Sequence, residues 1–225
     1  MHITPRDHIF GLGLANYAHL VQRTARLQVQ GREHMEQARA SGRPVILAGW
    51  HGMTMMISAY VFAHEDSSSY VGVIPDDDRG ATLSIWARHM RIATFPVSME
   101  ETSLVAARRL LALIRELERG KTLYINPDGP AGPSHEPKKG VFFIAHKADA
   151  LIVPIGAYTD ACIRIPRWDR YTVPLPFSRI AISLGQPLEI DAADDSETST
   201  AILCARLDAA EQAAEEFYRH GRRDG

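Results

Sequence analysis

Short continuous runs of apolar residues, separated by turn-forming residues, dominate the chain. The clearest run covers residues 44–50, lies between Gly42 and Gly52, and contains no charged side chain. Such a run is typical of a strand buried on both faces of a parallel sheet. Other apolar runs predict further strands at residues 70–74, 92–97, 122–125, 151–158, 163–165 and 179–184.

Segments with helical spacing of apolar residues lie before, between and after these runs. Residues 9–29 are loosely helical, with Arg23 and Arg26 on the polar side. Strands that alternate with helices predict an α/β fold, a single-domain sandwich whose largely parallel, mixed central sheet is flanked by helices. We expect an N-terminal helical segment, residues 1–40, and an α/β domain, residues 41–225. Further predicted helices cover residues 31–40, 53–62, 81–90, 103–118 and 197–219.

The composition indicates which kinds of partner the protein can bind and in which cellular compartment it works. The formal net charge of -2 lacks the basic excess of a nucleic-acid binder, so we expect no nucleic-acid partner. Two distant cysteines, Cys162 and Cys204, argue against a disulfide framework and favour a reducing cytosol. The N-terminus lacks the pattern of a secretory signal, and no apolar stretch approaches the roughly 18 residues of a membrane span. We expect a cytoplasmic protein, with peripheral attachment to the inner membrane as an open alternative to a freely dissolved one.

Polar residues follow three of the predicted strands. His51 follows the strand at residues 44–50, an acidic run at residues 76–78 follows the next strand, and Asp128 follows the strand at residues 122–125. In parallel sheets, ligands bind in loops beyond the carboxyl ends of the strands. These three clusters therefore predict one candidate site at a single edge of the sheet.

His51 is the candidate base of this site. It lies between a buried strand and a helix, where the positive end of the helix dipole disfavours the imidazolium form. A neutral imidazole near pH 7 is what a general base requires. The flanking Gly49 and Gly52 would let a substrate approach the backbone closely. A histidine that only caps a helix or packs in a crevice fits the position of His51 equally well.

The other two clusters, residues 126–133 and 76–78, also have purely structural interpretations. Residues 126–133 contain three prolines and two glycines, which predicts a rigid loop suited to positioning a ligand, although a crossover turn is the alternative. The acidic run could orient His51, bind a metal or only solvate a loop, and no partner ligands stand at metal-site spacing. The chain has no nucleophile elbow of the Gly-x-Ser-x-Gly type and no dinucleotide fingerprint.

Taken in order, a series of segments resembles the lysophospholipid acyltransferase (glycerophosphate acyltransferase-like) superfamily, and most closely its small soluble bacterial branch. The resemblance extends from about residue 42 to residue 190. The segments that carry it are Trp50-His51-Gly52, the acidic turn at Asp78, Gly120-Lys121, residues 128–133, Lys138-Lys139-Gly140, residues 151–155, Trp168-Asp169-Arg170-Tyr171, residues 174–179 and residues 185–188.

This resemblance implies acyl transfer from a thioester donor, acyl-CoA or acyl carrier protein, to a hydroxyl or amine of a lipid-like or small-molecule acceptor. It implies no cofactor and no metal. His51 would be the general base and Asp78 the acid that orients it, with Asp76 in reserve. The predicted substrate-binding residues are Asp76, Arg79, Asp128, Gly129, Pro130 and Lys138.

Three departures from the family pattern leave other functions open. Met56 stands where the superfamily usually has an aspartate, and residues 95–98 and Ala131 stand where the branch tends to carry arginines. Because arginine suits phosphate, these changes disfavour a glycerol-phosphate acceptor. The alternatives are an inactive relative that binds lipid or an acyl carrier, and a thioester hydrolase that uses the same base.

Overall fold

The computed structural model describes residues 3–97, 104–190 and 196–221, apart from the side chains of residues 106 and 196. Its helices are α1 Pro5–Thr24, α2 Arg32–Ala40, α3 Thr54–His64, α4 Asp78–His89, α5 Leu104–Glu118, α6 Lys139–Lys147 and α7 Ser196–His220. Its strands are β1 Arg26–Gln30, β2 Val45–Ala48, β3 Tyr70–Pro75, β4 Ala93–Val97, β5 Thr122–Ile125, β6 Leu151–Tyr158, β7 Cys162–Arg164, β8 Thr172–Pro174 and β9 Arg179–Leu184.

Seven strands form one sheet in the order β1-β9-β6-β2-β5-β3-β4. The pairs β1–β9, β6–β2, β2–β5, β5–β3 and β3–β4 are parallel, and only β6 and β9 pair in the antiparallel sense. The predicted α/β fold with a largely parallel, mixed sheet is therefore confirmed. Strands β7 and β8 form a separate antiparallel hairpin, and the loop between them carries residues 165–171.

The centre of the sheet is also the centre of the core. All four residues of β2 are buried, as are six of the eight residues of β6. Burial of branched apolar side chains on both faces of these strands is the main favourable contribution to folding. The apolar run that predicts β2 thus places His51 at the end of the most deeply buried strand.

Strand β1 departs from the predicted pattern. The sequence predicts a helix through residue 29, but α1 ends at Thr24 and residues 26–30 pair with β9 in parallel. Polar residues at positions 26, 28 and 30 alternate with Leu27 and Val29, which is the period of a strand. The helical prediction is therefore wrong for this segment, and residues 26–30 of the predicted helical segment belong to the main sheet.

The order of the strands fixes how the predicted site residues are arranged. Strand β5 lies between β2 and β3, so Asp128 follows a direct neighbour of β2, whereas residues 76–78 follow the strand beyond it. Two strand spacings amount to about 9–10 Å. The loop after β5 can therefore contact His51 directly, and the loop after β3 starts much farther away.

No helix within the described ranges combines the length and the hydrophobicity needed to span a membrane.

Candidate active site

His51 begins a short 3-10 turn, His51–Met53, directly after β2, and α3 begins only at Thr54. The backbone N–H of His51 donates a hydrogen bond to Oδ1 of Asp128, at an N···O distance of 3.0 Å. Its carbonyl accepts a hydrogen bond from Oγ1 of Thr54 at 2.8 Å. Both backbone polar groups of His51 are therefore held by side chains, which fixes the position from which the imidazole projects.

Asp169 is the carboxylate that contacts the His51 ring. Nδ1 of His51 lies 2.6 Å from Oδ2 of Asp169, whose side chain is 0% exposed. A neutral imidazole has one N–H, and a carboxylate accepts it, so Nδ1 carries the proton and Nε2 keeps its lone pair. Arg167 approaches the same oxygen at 3.4 Å. An imidazole with a buried carboxylate at Nδ1 is the arrangement that a general-base histidine requires.

The acidic residues 76–78 lie near α4, and the contacts of Asp76 and Asp77 are with groups other than the His51 ring. Asp76 bonds Arg109, and this hydrogen bond holds the pKa of Asp76 below its usual value. Asp77 caps α4 by accepting hydrogen bonds from two backbone N–H groups, and it also binds the guanidinium of Arg79. Asp78 is the exposed first residue of α4. The prediction that Asp78, with Asp76 in reserve, orients His51 is therefore wrong, because β5 separates this loop from His51 and Asp169 occupies Nδ1.

Asp128 is buried beneath the loop that follows β5. Its Oδ1 accepts the backbone N–H of His51, and its Oδ2 accepts the backbone N–H of His135 at 3.3 Å. Burial raises the pKa of Asp128, and the two backbone hydrogen bonds oppose that rise. The predicted contact of Asp128 with substrate is corrected, since both of its oxygens bind backbone groups. This carboxylate links the turn at His51 to the backbone of His135 in the loop that follows β5.

Two glycines allow the loops to close on His51. A Cβ atom on Gly52 would lie 2.3 Å from the carbonyl oxygen of Asp169, and one on Gly129 would lie 2.9 Å from Cδ2 of His51. A Cβ atom on Gly49 would lie 2.6 Å from Cδ1 of Ile57. The expectation that Gly49 and Gly52 open the backbone to substrate is therefore wrong, because protein atoms fill that space. The small size of Gly52 instead lets the backbone of Asp169 approach the turn, and that of Gly49 lets Ile57 and Ile155 pack against it.

His51 borders a large, mostly apolar cavity of about 1230 Å³. Ligand pockets commonly have volumes of about 300–1,000 Å³, so this one has room for a long substrate. Strands β3 and β4 and helices α4, α5 and α6 contribute to its lining. Its apolar lining includes Leu14, Val61, Val73, Ile74, Leu83, Trp86, Ile92, Leu110, Val141, Phe143 and Ile144.

Four of the predicted substrate-binding residues line this cavity, namely Arg79, Gly129, Pro130 and Lys138. Lys138 is half-buried, and its backbone N–H donates to the carbonyl of Pro127 at 2.8 Å. Asp76 does not line the cavity, which corrects its predicted contact with substrate. The lining of the cavity therefore carries cationic side chains and includes neither Asp76 nor Asp128.

Aromatic rings surround the base, and the sequence predicted no role for them. The rings of Trp168 and Tyr171 lie 5.2 Å and 5.9 Å from the His51 ring, measured between centroids. Burial raises the pKa of Tyr171, and it raises that of Tyr124 to about 12. Both phenols are therefore neutral near pH 7 and can donate hydrogen bonds at the cavity wall.

Comparisons with known proteins show what the chain as a whole is similar to. The chain is 30% identical over 148 residues to RP090, an uncharacterized protein of Rickettsia prowazekii (strain Madrid E), over 66% of this chain and 65% of the relative. The chain thus matches slightly less than two thirds of that relative's length. Its fold is similar to the crystal structure of the 1-acyl-sn-glycerophosphate (LPA) acyltransferase PlsC from Thermotoga maritima, with a TM-score of 0.55 and 15% identity over 94% of this chain and 78% of the other.

The family follows from a match that covers more than half of the chain. The sequence profile of the bacterial lipid A biosynthesis acyltransferases matches residues 11–152, a stretch that includes His51 and Asp128 and ends before Asp169. Together with the similar fold, this match confirms the predicted acyltransferase superfamily. The chain belongs to the bacterial lipid A biosynthesis acyltransferase family.

Proposed function

We propose that this protein transfers a fatty acyl group from a thioester donor, acyl-CoA or acyl carrier protein, to a hydroxyl or amine, with His51 as general base. Family membership supports acyl transfer in general. One observation carries the more specific proposal. The imidazole that borders the 1230 Å³ apolar cavity has its Nδ1 bound to the buried Asp169, so Nε2 is the nitrogen left for a substrate.

The reaction needs only groups of the protein and its two substrates. Nε2 of His51 accepts the proton of the acceptor as the acceptor oxygen or nitrogen attacks the thioester carbonyl carbon. The carbon–sulfur bond of the tetrahedral intermediate then breaks, and the imidazolium returns its proton to the departing sulfur. Between these steps the carboxylate of Asp169 stabilises the imidazolium, because the two charges lie together in a buried site.

The lining of the cavity suggests how each part of the substrates binds. The apolar walls suit an acyl chain, whose burial supplies binding free energy in proportion to its area. Lys138 and Arg79 supply positive charge for an anionic group on the donor or the acceptor, while Gly129 and Pro130 shape the wall beside His51. The guanidinium of Arg79 already binds Asp77, so Lys138 is the stronger candidate for an anion.

Two alternatives share parts of this geometry. An inactive relative that binds lipid or a carrier is suggested by Met56 at the family's usual aspartate position. Asp169 weakens this reading, because it supplies the carboxylate that Met56 cannot. A thioester hydrolase would use the same base and the same acyl cavity, and would differ only in delivering the acyl group to water.

Replacement of the base tests the central step. The His51→Ala variant should fold like the wild type and lose about 100-fold or more of its turnover, as is typical of losing a general base. Acyl transfer and thioester hydrolysis would be measured in one assay with acyl-CoA and acyl carrier protein donors, and folding by circular dichroism. Near-wild-type transfer by the folded variant would remove His51 from the mechanism. A wild-type protein that releases free fatty acid faster than acylated product would be a hydrolase.

A matched pair of aspartates tests the orienting carboxylate. Asp169→Asn should lower kcat by about 100-fold or more, because an amide can donate to Nδ1 and hold the wrong tautomer of His51. Asp78→Asn makes the same chemical change on an exposed residue and should leave kcat within about twofold, as expected for a surface substitution. Steady-state kcat and KM of both variants give the comparison. Equal losses in the two variants, or a larger loss at Asp78, would refute the assignment.

We also propose that the protein is cytoplasmic and attaches weakly to the inner membrane through α1. One face of this helix packs on the domain through Ala15, Ala18 and Val21, yet Ile9 and Phe10 are 72% and 57% exposed. An exposed apolar pair with Arg6 nearby suits the headgroup region of an anionic membrane.

Liposome flotation tests this attachment. Full-length protein should float with anionic liposomes at low salt and lose that binding at high salt, because screening weakens the electrostatic part. The double variant Ile9→Ser/Phe10→Ser should bind less, and Ile163→Ser, at an equally exposed apolar residue outside α1, is the matched control. Wild-type protein that never floats would indicate an enzyme that meets its substrates in solution.

A further inference from the structure

A histidine and two carboxylates meet where the rigid loop after β5 contacts helix α7. Nδ1 of His135 lies 2.9 Å from Oδ1 of Asp208, and its Nε2 lies 3.7 Å from Oε2 of Glu211. Each residue offers one candidate metal-ligating atom, and these three atoms lie within 4.8 Å of one another. Among the described residues, this is the only group of three potential ligands that meets this distance. The cluster lies outside the acyl cavity, whose lining includes none of its members.

The two sides of this cluster are held in place before any ligand binds. The ring of His135 stacks on buried Trp50, with 4.6 Å between centroids and 15° between planes. The indole N–H of Trp50 donates to Oδ1 of Asp208 at 2.9 Å. Asp208 and Glu211 are three residues apart on α7, a spacing that puts both on one helix face. An ion would therefore meet groups that are already arranged.

The charges of the cluster also favour a cation. Asp208 and Glu211 bring two partly buried carboxylates to the same imidazole, so their negative charges lie close together and repel each other. Opposite charge brought between carboxylates relieves this repulsion. A donor set of one imidazole nitrogen and carboxylate oxygens suits zinc and related transition metals, whereas calcium and magnesium prefer oxygen ligands alone.

We propose that His135, Asp208 and Glu211 bind a divalent transition-metal ion of the zinc class, which fastens the rigid loop to helix α7. The ion would act on structure and not on the acyl group. The backbone N–H of His135 binds Asp128, and the other oxygen of Asp128 binds the backbone of His51. The ion would therefore stiffen the support of the catalytic turn from a distance. Binding of the ion does not require that the protein catalyse the proposed acyl transfer.

Direct binding measurements on the full, metal-stripped chain test the site. Isothermal titration calorimetry with Zn²⁺ at pH 7.5 should give one ion per chain. Glu211→Gln should weaken binding at least about tenfold, since loss of even an outer-shell partner typically costs about 10–100-fold. Glu215→Gln is the matched control on the same helix, where the glutamate pairs with Arg219, and it should bind as the wild type does.

Two further measurements test where the ion binds. His51→Ala should retain the ion, because the proposed ligands do not include the catalytic pair. The melting temperature of the wild type should rise with Zn²⁺, and Glu211→Gln should abolish most of that rise. No stoichiometric binding by the wild type would overturn the proposal. So would equal binding by the Glu211 and Glu215 variants, or binding that is lost with His51 and kept without Glu211.

Discussion

The Asp169 carboxylate is fully buried, and a buried charge is costly unless hydrogen bonds and a partner compensate it. His51 compensates part of this cost through the 2.6 Å contact of Nδ1 with Oδ2, which Arg167 also approaches at 3.4 Å, while Oδ1 is buried without a hydrogen-bond partner. The constraint acts in both directions, since the carboxylate fixes the ring and the ring stabilises the carboxylate. The β7–β8 loop must therefore lie over the end of β2, and Gly52 lets it do so. The close approach of the loop, the tautomer of the base and the free Nε2 all depend on this pair.

Two buried aspartates position His51. Asp169 contacts the ring, while Asp128 binds the backbone N–H of His51 and ties the turn to the loop after β5. Asp128 lies in the loop after β5 and Asp169 in the loop between β7 and β8, so neither loop alone defines the site. Errors in the position of a base strongly reduce catalysis, which explains why both the backbone and the ring are held. In the proposed function, the apolar cavity beside them selects the substrate that meets His51.

Strong local patterns predicted much of the fold. The strands at residues 122–125, 151–158 and 179–184 have the predicted limits, because uninterrupted apolar runs between turn residues leave little choice of structure. Strand β1 was missed because five residues directly after a helix give a weak alternating signal. His51 was identifiable because it directly follows an uninterrupted apolar run, residues 44–50. The three-residue strand β8 carries no recognisable pattern.

The partner of His51 was not predictable from spacing. Asp169 is 118 residues away in sequence, in the loop of a small hairpin, and only the tertiary fold brings it to Nδ1. Residues 76–78 looked more suitable because they follow a strand, yet the strand order puts β5 between them and His51. Met56, at the family's usual aspartate position, is buried in the core on α3. The one available signal was the segment Trp168-Asp169-Arg170-Tyr171, which carried part of the family resemblance without indicating a role.

The central claim is that an acyl chain lies in the cavity with its thioester carbonyl beside Nε2 of His51. A crystal structure of the protein with a non-cleavable analogue of an acyl thioester tests this most directly. We predict an acyl chain inside the 1230 Å³ cavity, a carbonyl carbon facing Nε2, and an intact contact between Nδ1 and Asp169. An acyl chain bound outside the cavity, or an imidazole whose Nε2 faces Asp169, would contradict it.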